Sequence, residues 1–258
     1  MPQRAGWLDL EFGWHAERVT EAGLALGLRD FVPIACRGSN HPARLEQIAR
    51  LIDARPGMTV LDGGCGLGGP MTWLERRHGC SVVGVDLLTS AVRGALRLFP
   101  GSTAVVACLT RLPFAEASFE AAWLLGSLST MPHPAPAARE LRRVLAPGGR
   151  LAAFDYVAAS AIPDGAPAAN AFTPPGALAG ELRAAGLQVL ASGRAPELGS
   201  PPASWREPIE AVERQIAHCH GDDPRYRQEV SERAAFTRLR RSGCIVPWLL
   251  LAERPFRW

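Results

Sequence analysis

The sequence predicts an α/β fold, a doubly wound and mostly parallel seven-stranded sheet with helical lid elements. From Met58 onward, short apolar segments alternate with segments whose apolar residues recur at helical spacing. The apolar segments are hydrophobic on both faces, which is typical of parallel strands that helices cover on each side. The chain has 258 residues, 47% of them hydrophobic and 21% charged, which is enough to bury such a sheet.

The expected elements follow in order along the chain. Two helices, over residues 15–28 and 42–53, precede the alternation. Strands and intervening helices then run from residue 58 to residue 193, and a last strand covers residues 244–255. The first five strands are expected at residues 58–64, 81–88, 102–109, 118–128 and 150–158. We divide the chain into an N-terminal helical lid, residues 1–56, and an α/β domain, residues 57–258, with a helical insertion at about 204–242.

Charge and composition exclude several functional classes. The formal net charge is only +3 and no basic run stands out, which argues against a nucleic-acid partner. All 28 basic residues are arginines. Without lysine, the chain cannot carry a P-loop lysine, a Schiff-base lysine or the Tyr-x-x-x-Lys pair of a short-chain dehydrogenase.

Cysteine usage and the terminal segments indicate a compartment. The six cysteines are scattered and form no Cys-x-x-Cys pair, as expected in a reducing cytoplasm. The N-terminus has acidic residues where a signal peptide needs an apolar core, and no apolar run is long enough to span a bilayer. The segment AHCHGDD, residues 217–223, lacks the spacing of a usual metal site. We expect a soluble cytoplasmic protein without a membrane partner or a metal, and a homodimer stays open.

A glycine-rich segment, LDGGCGLGGP at residues 61–70, follows the first predicted strand. Glycines at such a turn let a ligand approach the main chain closely. Gly64, Gly66 and Gly69 form a G-x-G-x-x-G pattern, and Asp86 ends the next strand, where a carboxylate can bind a ribose. Both a dinucleotide and an adenosyl compound place a ribose there, so this pattern alone leaves an NAD(P)-dependent oxidoreductase open.

A longer set of motifs separates these ligands. The loop resembles the D-x-G-C-G-x-G signature of class I S-adenosylmethionine (SAM) dependent methyltransferases, in Asp62, Gly64, Cys65, Gly66 and Gly68. Asp86 and the segments LPF, SFE and ELRRVLAPGGRL follow in the order of that family. The resemblance, to the small-molecule type, covers residues 58–157 well. It implies SAM as the cofactor and methyl transfer as the reaction.

The resemblance also implies which residues bind the cofactor. Asp62 would orient the loop, and Asp86 would accept hydrogen bonds from both ribose hydroxyl groups. Where the family usually has an aspartate for the adenine amino group, this chain has Cys108, and a thiol is a poor acceptor. The expected cofactor-binding residues are Asp62, Gly64, Cys65, Gly66, Gly68, Asp86, Leu87, Cys108, Leu109 and Leu125.

The acceptor end departs from the family. Many similar O-methyltransferases carry His-His-Met after the fourth strand, and here Ser129 and Thr130 replace the two histidines. An unassisted Ser or Thr cannot serve as a general base near neutral pH. The remaining candidates for a catalytic role are Asp155, which the family also carries after the fifth strand, His133 and His15.

Aromatic residues are expected to line the acceptor pocket and to shield the sulfonium from water. The expected substrate-binding residues are Trp14, Trp123, Thr130, Tyr156 and Trp205, with Trp7 and Phe12 beside them. Shorter stretches are similar to prenyl diphosphate C-methyltransferases, but Leu128 stands where those enzymes have an acidic residue.

These residues indicate methylation of a small, largely apolar metabolite at carbon, nitrogen or oxygen, in specialised metabolism. The transfer would be driven mainly by proximity and desolvation. The first alternative is a SAM-fold protein that catalyses a cyclisation or rearrangement without methyl transfer. The second is an NAD(P)-dependent oxidoreductase.

Overall fold

The computed structural model describes residues 8–37 and 41–256. The helices are α1 (Trp14–Ala25), α2 (Pro42–Leu51), α3 (Gly69–His78), α4 (Thr89–Leu98), α5 (Ala135–Val144), α6 (Ala177–Ala184), α7 (Ala203–His220) and α8 (Pro224–Ser242). The strands are β1 (Thr59–Gly63), β2 (Ser81–Asp86), β3 (Thr103–Val106), β4 (Phe119–Leu125), β5 (Leu145–Ala158), β6 (Gln188–Arg194) and β7 (Ile245–Glu253). A π-helical turn (Asp9–Gly13) leads into α1, and 3-10 turns lie at Val32–Ala35 and Leu128–Thr130.

The seven strands form one sheet in the order β3-β2-β1-β4-β5-β7-β6. Strands β1 to β5 are parallel, and β7 runs antiparallel to both β5 and β6. The strand order reverses between β1 and β4, and ligands of doubly wound sheets bind at such a crevice beyond the carboxyl ends of the strands. The predicted fold class is therefore confirmed.

Helices cover both faces of the sheet, because the strands are apolar on both. On one face, Leu61 and Val85 pack with Leu141 of α5 and Leu182 of α6. On the other face, Val60 packs with the helices α2 and α3 in a second core cluster. The two cores fix β1 and β2 rigidly, and the ends of these strands carry the glycine loop and Asp86.

Most strands are shorter than expected by one to three residues at an end, and the boundaries of β4 and β5 show a structural cause. β4 ends at Leu125 instead of residue 128, because Gly126 turns the chain with a φ of 75°. β5 begins at Leu145, before the Pro-Gly-Gly segment that was expected to precede the strand. The pairing of β4 with β5 shifts between Phe119 and Ala121, and this irregularity accommodates a proline and glycines within a strand.

Helical segments from the two ends of the chain cover the carboxyl edge of the sheet. The π-helical turn packs against the start of α4, since a Cβ at Gly13 would lie 3.1 Å from Ser90 Oγ. The α8 helix packs over the end of β5 through Phe236, whose ring centroid lies 5.0 Å from that of Tyr156. The division into an N-terminal lid and a helical insertion stays a prediction. In the described part of the chain, no helix has the length and apolarity that crossing a membrane requires.

Candidate functional site

The glycine loop connects β1 to α3 through left-handed backbone. Gly64, Gly66 and Gly68 have φ angles of 78°, 53° and 78°, which favour glycine over residues with a Cβ. A Cβ at Gly64 would lie 2.6 Å from Ser127 Cβ, whereas a Cβ at Gly66 would meet no protein atom within 4 Å. Gly64 therefore allows close packing within the protein, and Gly66 leaves the main chain open to a ligand.

Asp86, at the end of β2, is bonded to this loop. Its Oδ2 accepts a hydrogen bond from the Gly66 nitrogen at 2.9 Å, and its Oδ1 accepts one from the Leu88 nitrogen at 2.9 Å. Burial raises the pKa of Asp86, and these backbone hydrogen bonds oppose the rise. The structure thus connects Gly66 of the glycine pattern directly to Asp86 at the strand end, two features that the sequence singled out separately.

Asp62 lies beneath the loop and is only 1% exposed. Burial raises the pKa of Asp62 to about 8, with the Trp123 indole opposing the rise and Asp86 adding to it. Asp62 Oδ2 and Trp123 Nε1 are both buried without a hydrogen-bond partner among the described residues, so the indole faces the carboxyl group without hydrogen-bond alignment. A buried oxygen without a partner suits a ligand that brings a donor, such as the ammonium group of an amino acid.

The residues expected near the adenine differ in exposure. Leu87 is 52% exposed, directly after Asp86, and is available to an apolar ring. Leu109 is buried and packs against Gly63, since a Cβ added at Gly63 would lie 3.0 Å from Leu109 Cδ2. Cys108 Sγ lies 3.1 Å from Thr110 Oγ1, and Leu125 is buried at the end of β4. The roles of these residues in binding stay predictions.

The turn after β4 is fixed by Asp155. Its Oδ2 accepts a hydrogen bond from the Ser129 nitrogen at 2.9 Å, and its Oδ1 accepts one from the Tyr156 nitrogen at 2.7 Å. Thr130 Oγ1 donates to the Ser127 carbonyl oxygen at 2.6 Å. Burial raises the pKa of Asp155, and its hydrogen bonds with Ser129 oppose the rise. Both carboxylate oxygens thus hold backbone, and a catalytic role for Asp155 stays a prediction.

The sequence-based prediction missed most of a group of charged residues that lies where the N-terminal segment meets α8, the two segments predicted to form a lid. We call it the lid cluster: Glu11, His15, Arg37, Glu229 and Arg233. His15 Nδ1 lies 3.3 Å from Glu229 Oε1, and Arg37 Nη2 lies 3.4 Å from Glu11 Oε1. Glu229 is 3% exposed, whereas 38% of the Arg37 side chain is accessible. Only His15 was singled out, because the other four have no motif and meet only through the fold.

Burial sets the protonation of this cluster. It lowers the pKa of His15 well below the usual value, and the nearby Arg37 and Arg233 lower it further. Burial also raises the pKa of Glu11 to about 7, with Arg37 opposing the rise. His15 is therefore neutral at pH 7, because burial and the two arginines disfavour its protonated form. Burial lowers the pKa of Arg37, whose side chain is nevertheless 38% accessible, and the carboxylates of Glu229 and Glu11 oppose this shift.

Three of the five residues predicted to bind the substrate are partly accessible, and their role in binding stays a prediction. Tyr156 is half-buried and packs between Phe154 and Phe236, and the ring of Phe236 also contacts Phe172. Trp205 is partly buried beside the same core as Tyr156. Thr130 is half-buried, on the turn after β4.

Two tryptophans correct the expectation. Trp123 is 0% exposed and belongs to the core, so it lines no pocket. Trp14 is 5% exposed and packs against His220 and Tyr226, so it joins α1 to α7 and α8. The ring of Phe12 lies under the Arg37 guanidinium group at 4.6 Å. Trp7 lies outside the described residues.

Two features of the sequence remain to be placed, His133 and the AHCHGDD segment. His133 is exposed on the segment before α5. Among the residues that the structure describes, no group of histidine, cysteine, aspartate or glutamate side chains has the arrangement of a metal site. In the AHCHGDD segment, Asp223 caps α8 by accepting a hydrogen bond from the Arg225 nitrogen at 2.8 Å.

Comparison with known proteins identifies the domain. Residues 61–153 match a family model described as a methyltransferase domain. The chain is 36% identical over 125 residues to methyltransferase GfsG of Streptomyces halstedii, and the match covers 46% of this chain and 45% of that relative. The chain thus spans less than half the length of this curated relative.

Two solved structures share the fold. The [4+2]-cyclase SpnF superposes with a TM-score of 0.65 and 25% identity, over 83% of this chain and 80% of that chain. Geranyl diphosphate C-methyltransferase from Streptomyces coelicolor A3(2), solved with Mg2+, geranyl diphosphate and S-adenosyl-L-homocysteine, superposes with a TM-score of 0.61 and 20% identity. That match covers 82% of this chain and 78% of the other. The predicted resemblance is confirmed for both the domain and the fold.

Proposed function

We propose that the protein transfers a methyl group from SAM to a small, largely apolar metabolite, since residues 61–153 match a methyltransferase domain. One observation carries the proposal. The Gly66 nitrogen donates to Asp86 Oδ2 at 2.9 Å, while a Cβ at Gly66 would meet no protein atom. The loop thus presents open main chain directly beside a carboxylate suited to ribose.

The residues of the site fit SAM. When bound, SAM supplies an electrophilic methyl group on a sulfonium. Asp86 is placed to accept hydrogen bonds from ribose hydroxyl groups, and Leu87 offers an apolar surface to adenine. The unpartnered Oδ2 of Asp62 suits the amino-acid end, which carries a hydrogen-bond donor.

The acceptor side supports a small and mostly apolar substrate. The aromatic rings of Tyr156, Phe172 and Phe236 lie together between the end of β5 and α8. Such a wall excludes water and favours an apolar acceptor. The acceptor atom, a place in specialised metabolism and a cytoplasmic location are parts of the same proposal. The free state of all six cysteines supports the location.

Titration of the purified protein with SAM and with NAD(P)H tests the cofactor. We expect SAM to bind and the nicotinamide to fail. Asp86→Ala should weaken SAM binding at least about tenfold, because a hydrogen bond to a charged acceptor contributes about 1.5–3 kcal/mol. Asp164→Ala, which removes an exposed carboxylate from the loop between β5 and α6, is the control and should leave the affinity unchanged. Equal affinity for the two variants would overturn the assignment of Asp86.

A second candidate is cyclisation or rearrangement without methyl transfer. The 25% identity to the [4+2]-cyclase SpnF favours it, as does the replacement of the family's histidine pair by Ser129 and Thr130. Mass analysis separates the two reactions. Methyl transfer adds one methyl group to the acceptor and releases one S-adenosylhomocysteine, whereas cyclisation changes neither the mass of the substrate nor the SAM concentration.

A further inference from the structure

The lid cluster lies over the carboxyl edge of the sheet. Cys36 packs against the glycine loop, since a Cβ at Gly69 would lie 2.7 Å from its Sγ, and Arg37 follows directly in sequence. Arg37 in turn contacts Glu11 and Glu229, at 3.4 Å and 3.8 Å. The cluster is therefore linked to the glycine loop through two consecutive residues.

The centre of the cluster is a histidine beside a buried carboxylate. His15 Nδ1 lies 3.3 Å from Glu229 Oε1, and Arg37 and Arg233 approach the same carboxylate at 3.8 Å and 3.6 Å. Glu229 Oε1 is nevertheless buried without a hydrogen-bond partner among the described residues. The pair thus has ion-pair distance without hydrogen-bond alignment, as catalytic contacts in ligand-free sites often do.

A purely structural network would be closed, and this one is open in two respects. A structural network satisfies its buried oxygens, because each unpaired one is costly. Moreover, 38% of the Arg37 side chain and 16% of the His15 side chain stay accessible to solvent. Open polar side chains beside an unsatisfied carboxylate oxygen are typical of a binding or catalytic cleft.

We propose that His15 is the general base for a hydroxyl group of the acceptor and that Glu229, from the opposite end of the chain, is its positioning residue. This inference rests on the proposed methyl transfer. In this proposal His15 takes the role of the histidine pair that is absent after β4, and the acceptor is a neutral hydroxyl compound.

The chemistry requires one tautomer of His15. With the proton on Nδ1, directed at the Glu229 carboxylate, Nε2 carries the lone pair. As the oxygen–methyl bond forms and the sulfur–methyl bond breaks, the hydroxyl proton passes to Nε2. The products are a methyl ether, S-adenosylhomocysteine and a protonated imidazole. The Glu229 carboxylate, 3.3 Å from Nδ1, opposes the burial and the two arginines that disfavour this charge.

The surrounding charges favour a neutral acceptor. Glu229 and Arg233 from α8 and Arg37 from the segment before α2 lie around His15, while Glu11 pairs with Arg37 and lies near Glu232. The acidic side chains disfavour a diphosphate, with Glu11 partly protonated at pH 7, and the two arginines disfavour a cation. A hydroxyl group carries neither charge and can donate to Nε2.

Nitrogen NMR of histidine-labelled protein, saturated with S-adenosylhomocysteine, tests the inference without knowledge of the natural acceptor. Phenol is the probe, since it is a small aromatic hydroxyl compound, and anisole, its methyl ether, is the matched control that cannot donate. We expect His15 to carry its proton on Nδ1 and phenol to shift its Nε2 resonance, while anisole leaves Nε2 unchanged. An unprotonated Nδ1, or equal responses to phenol and anisole, would overturn the assignment.

Two variants test the positioning role of Glu229. In Glu229→Gln the amide can donate to Nδ1, so the proton moves to Nε2 and phenol should bind about fivefold more weakly, the loss of about one neutral hydrogen bond. Glu229→Asp keeps the charge and should retain the Nδ1-protonated tautomer. A role in packing alone would leave the tautomer of the Gln variant unchanged, and that result would refute the proposal.

Calorimetry of SAM binding to the same proteins separates the two levels of argument. All variants should bind SAM as the wild type does, because none of the ion pairs of the lid cluster involves Asp86, the carboxylate proposed to bind the ribose. Failure of the wild type to bind SAM would sink the proposed function itself. Normal SAM binding with an unresponsive His15 would sink only the inference about the base.

Discussion

Replacing Gly66 by alanine separates cofactor approach from backbone strain. Gly66 has a φ of 53°, and alanine in left-handed backbone costs about 1–2 kcal/mol. Its added methyl group would meet no protein atom within 4 Å, so no packing cost is expected beyond the strain. For a chain of this length, that strain lowers Tm by about 2–8 °C.

Gly57 provides the matched control. It has a φ of 78°, a Cβ there would also meet no protein atom within 4 Å, and it lies before β1, at the opposite end of the strand from the loop. Gly57→Ala should lose similar stability and keep its affinity for SAM. Gly66→Ala should lose at least about tenfold in affinity, because its methyl group enters the space through which the cofactor reaches the main chain.

The assay is calorimetric titration with SAM, beside thermal unfolding of the same samples. Gly64→Ala adds a third reference, since its Cβ would lie 2.6 Å from Ser127 Cβ. This overpacking should lower the free energy of unfolding by about 1–3 kcal/mol more. If Gly66→Ala bound SAM as tightly as Gly57→Ala did, the loop would not be where the cofactor approaches, and the site would have to be placed elsewhere.

Two further substitutions test the buried acids. Because burial raises the pKa of Asp62 to about 8, the ligand-free protein should lose stability as pH rises from about 4 to 8. Asp62→Asn should therefore raise Tm at pH 8, and the gain should vanish towards pH 4. A gain in Tm that does not depend on pH would contradict this. Asp155→Ala leaves the Ser129 and Tyr156 nitrogens without their acceptor and should destabilise the protein by about 2–6 kcal/mol in chemical denaturation, against a smaller loss for Asp155→Asn. Equal stabilities of these two variants would refute the role assigned to Asp155 in fixing the turn.

The cofactor half of the site was predictable because it is local in sequence. The glycine loop and Asp86 lie on neighbouring parallel strands within 25 residues, so the strand pattern alone brings them to one edge. Trp123 was predicted to face the substrate but is buried in the core, because the sequence pattern of an apolar strand is the same whether its aromatic residue lines a pocket or fills the core. The exposure of such a side chain is decided by the helices that pack on its face, and no local pattern encodes that.

The proposed acceptor half depends on contacts between two segments far apart in the chain. His15, in the first turn of α1, meets Glu229 because α8 packs against the π-helical turn that leads into α1, and neither residue belongs to a motif. Their meeting also bears on the choice between the two reactions proposed for this fold. O-methylation releases a proton and needs a group to receive it, whereas cyclisation conserves the mass of its substrate and needs no proton acceptor. A neutral histidine held beside a buried carboxylate is thus a physical reason to favour methyl transfer to oxygen, and the tautomer of His15 is the property on which that preference depends.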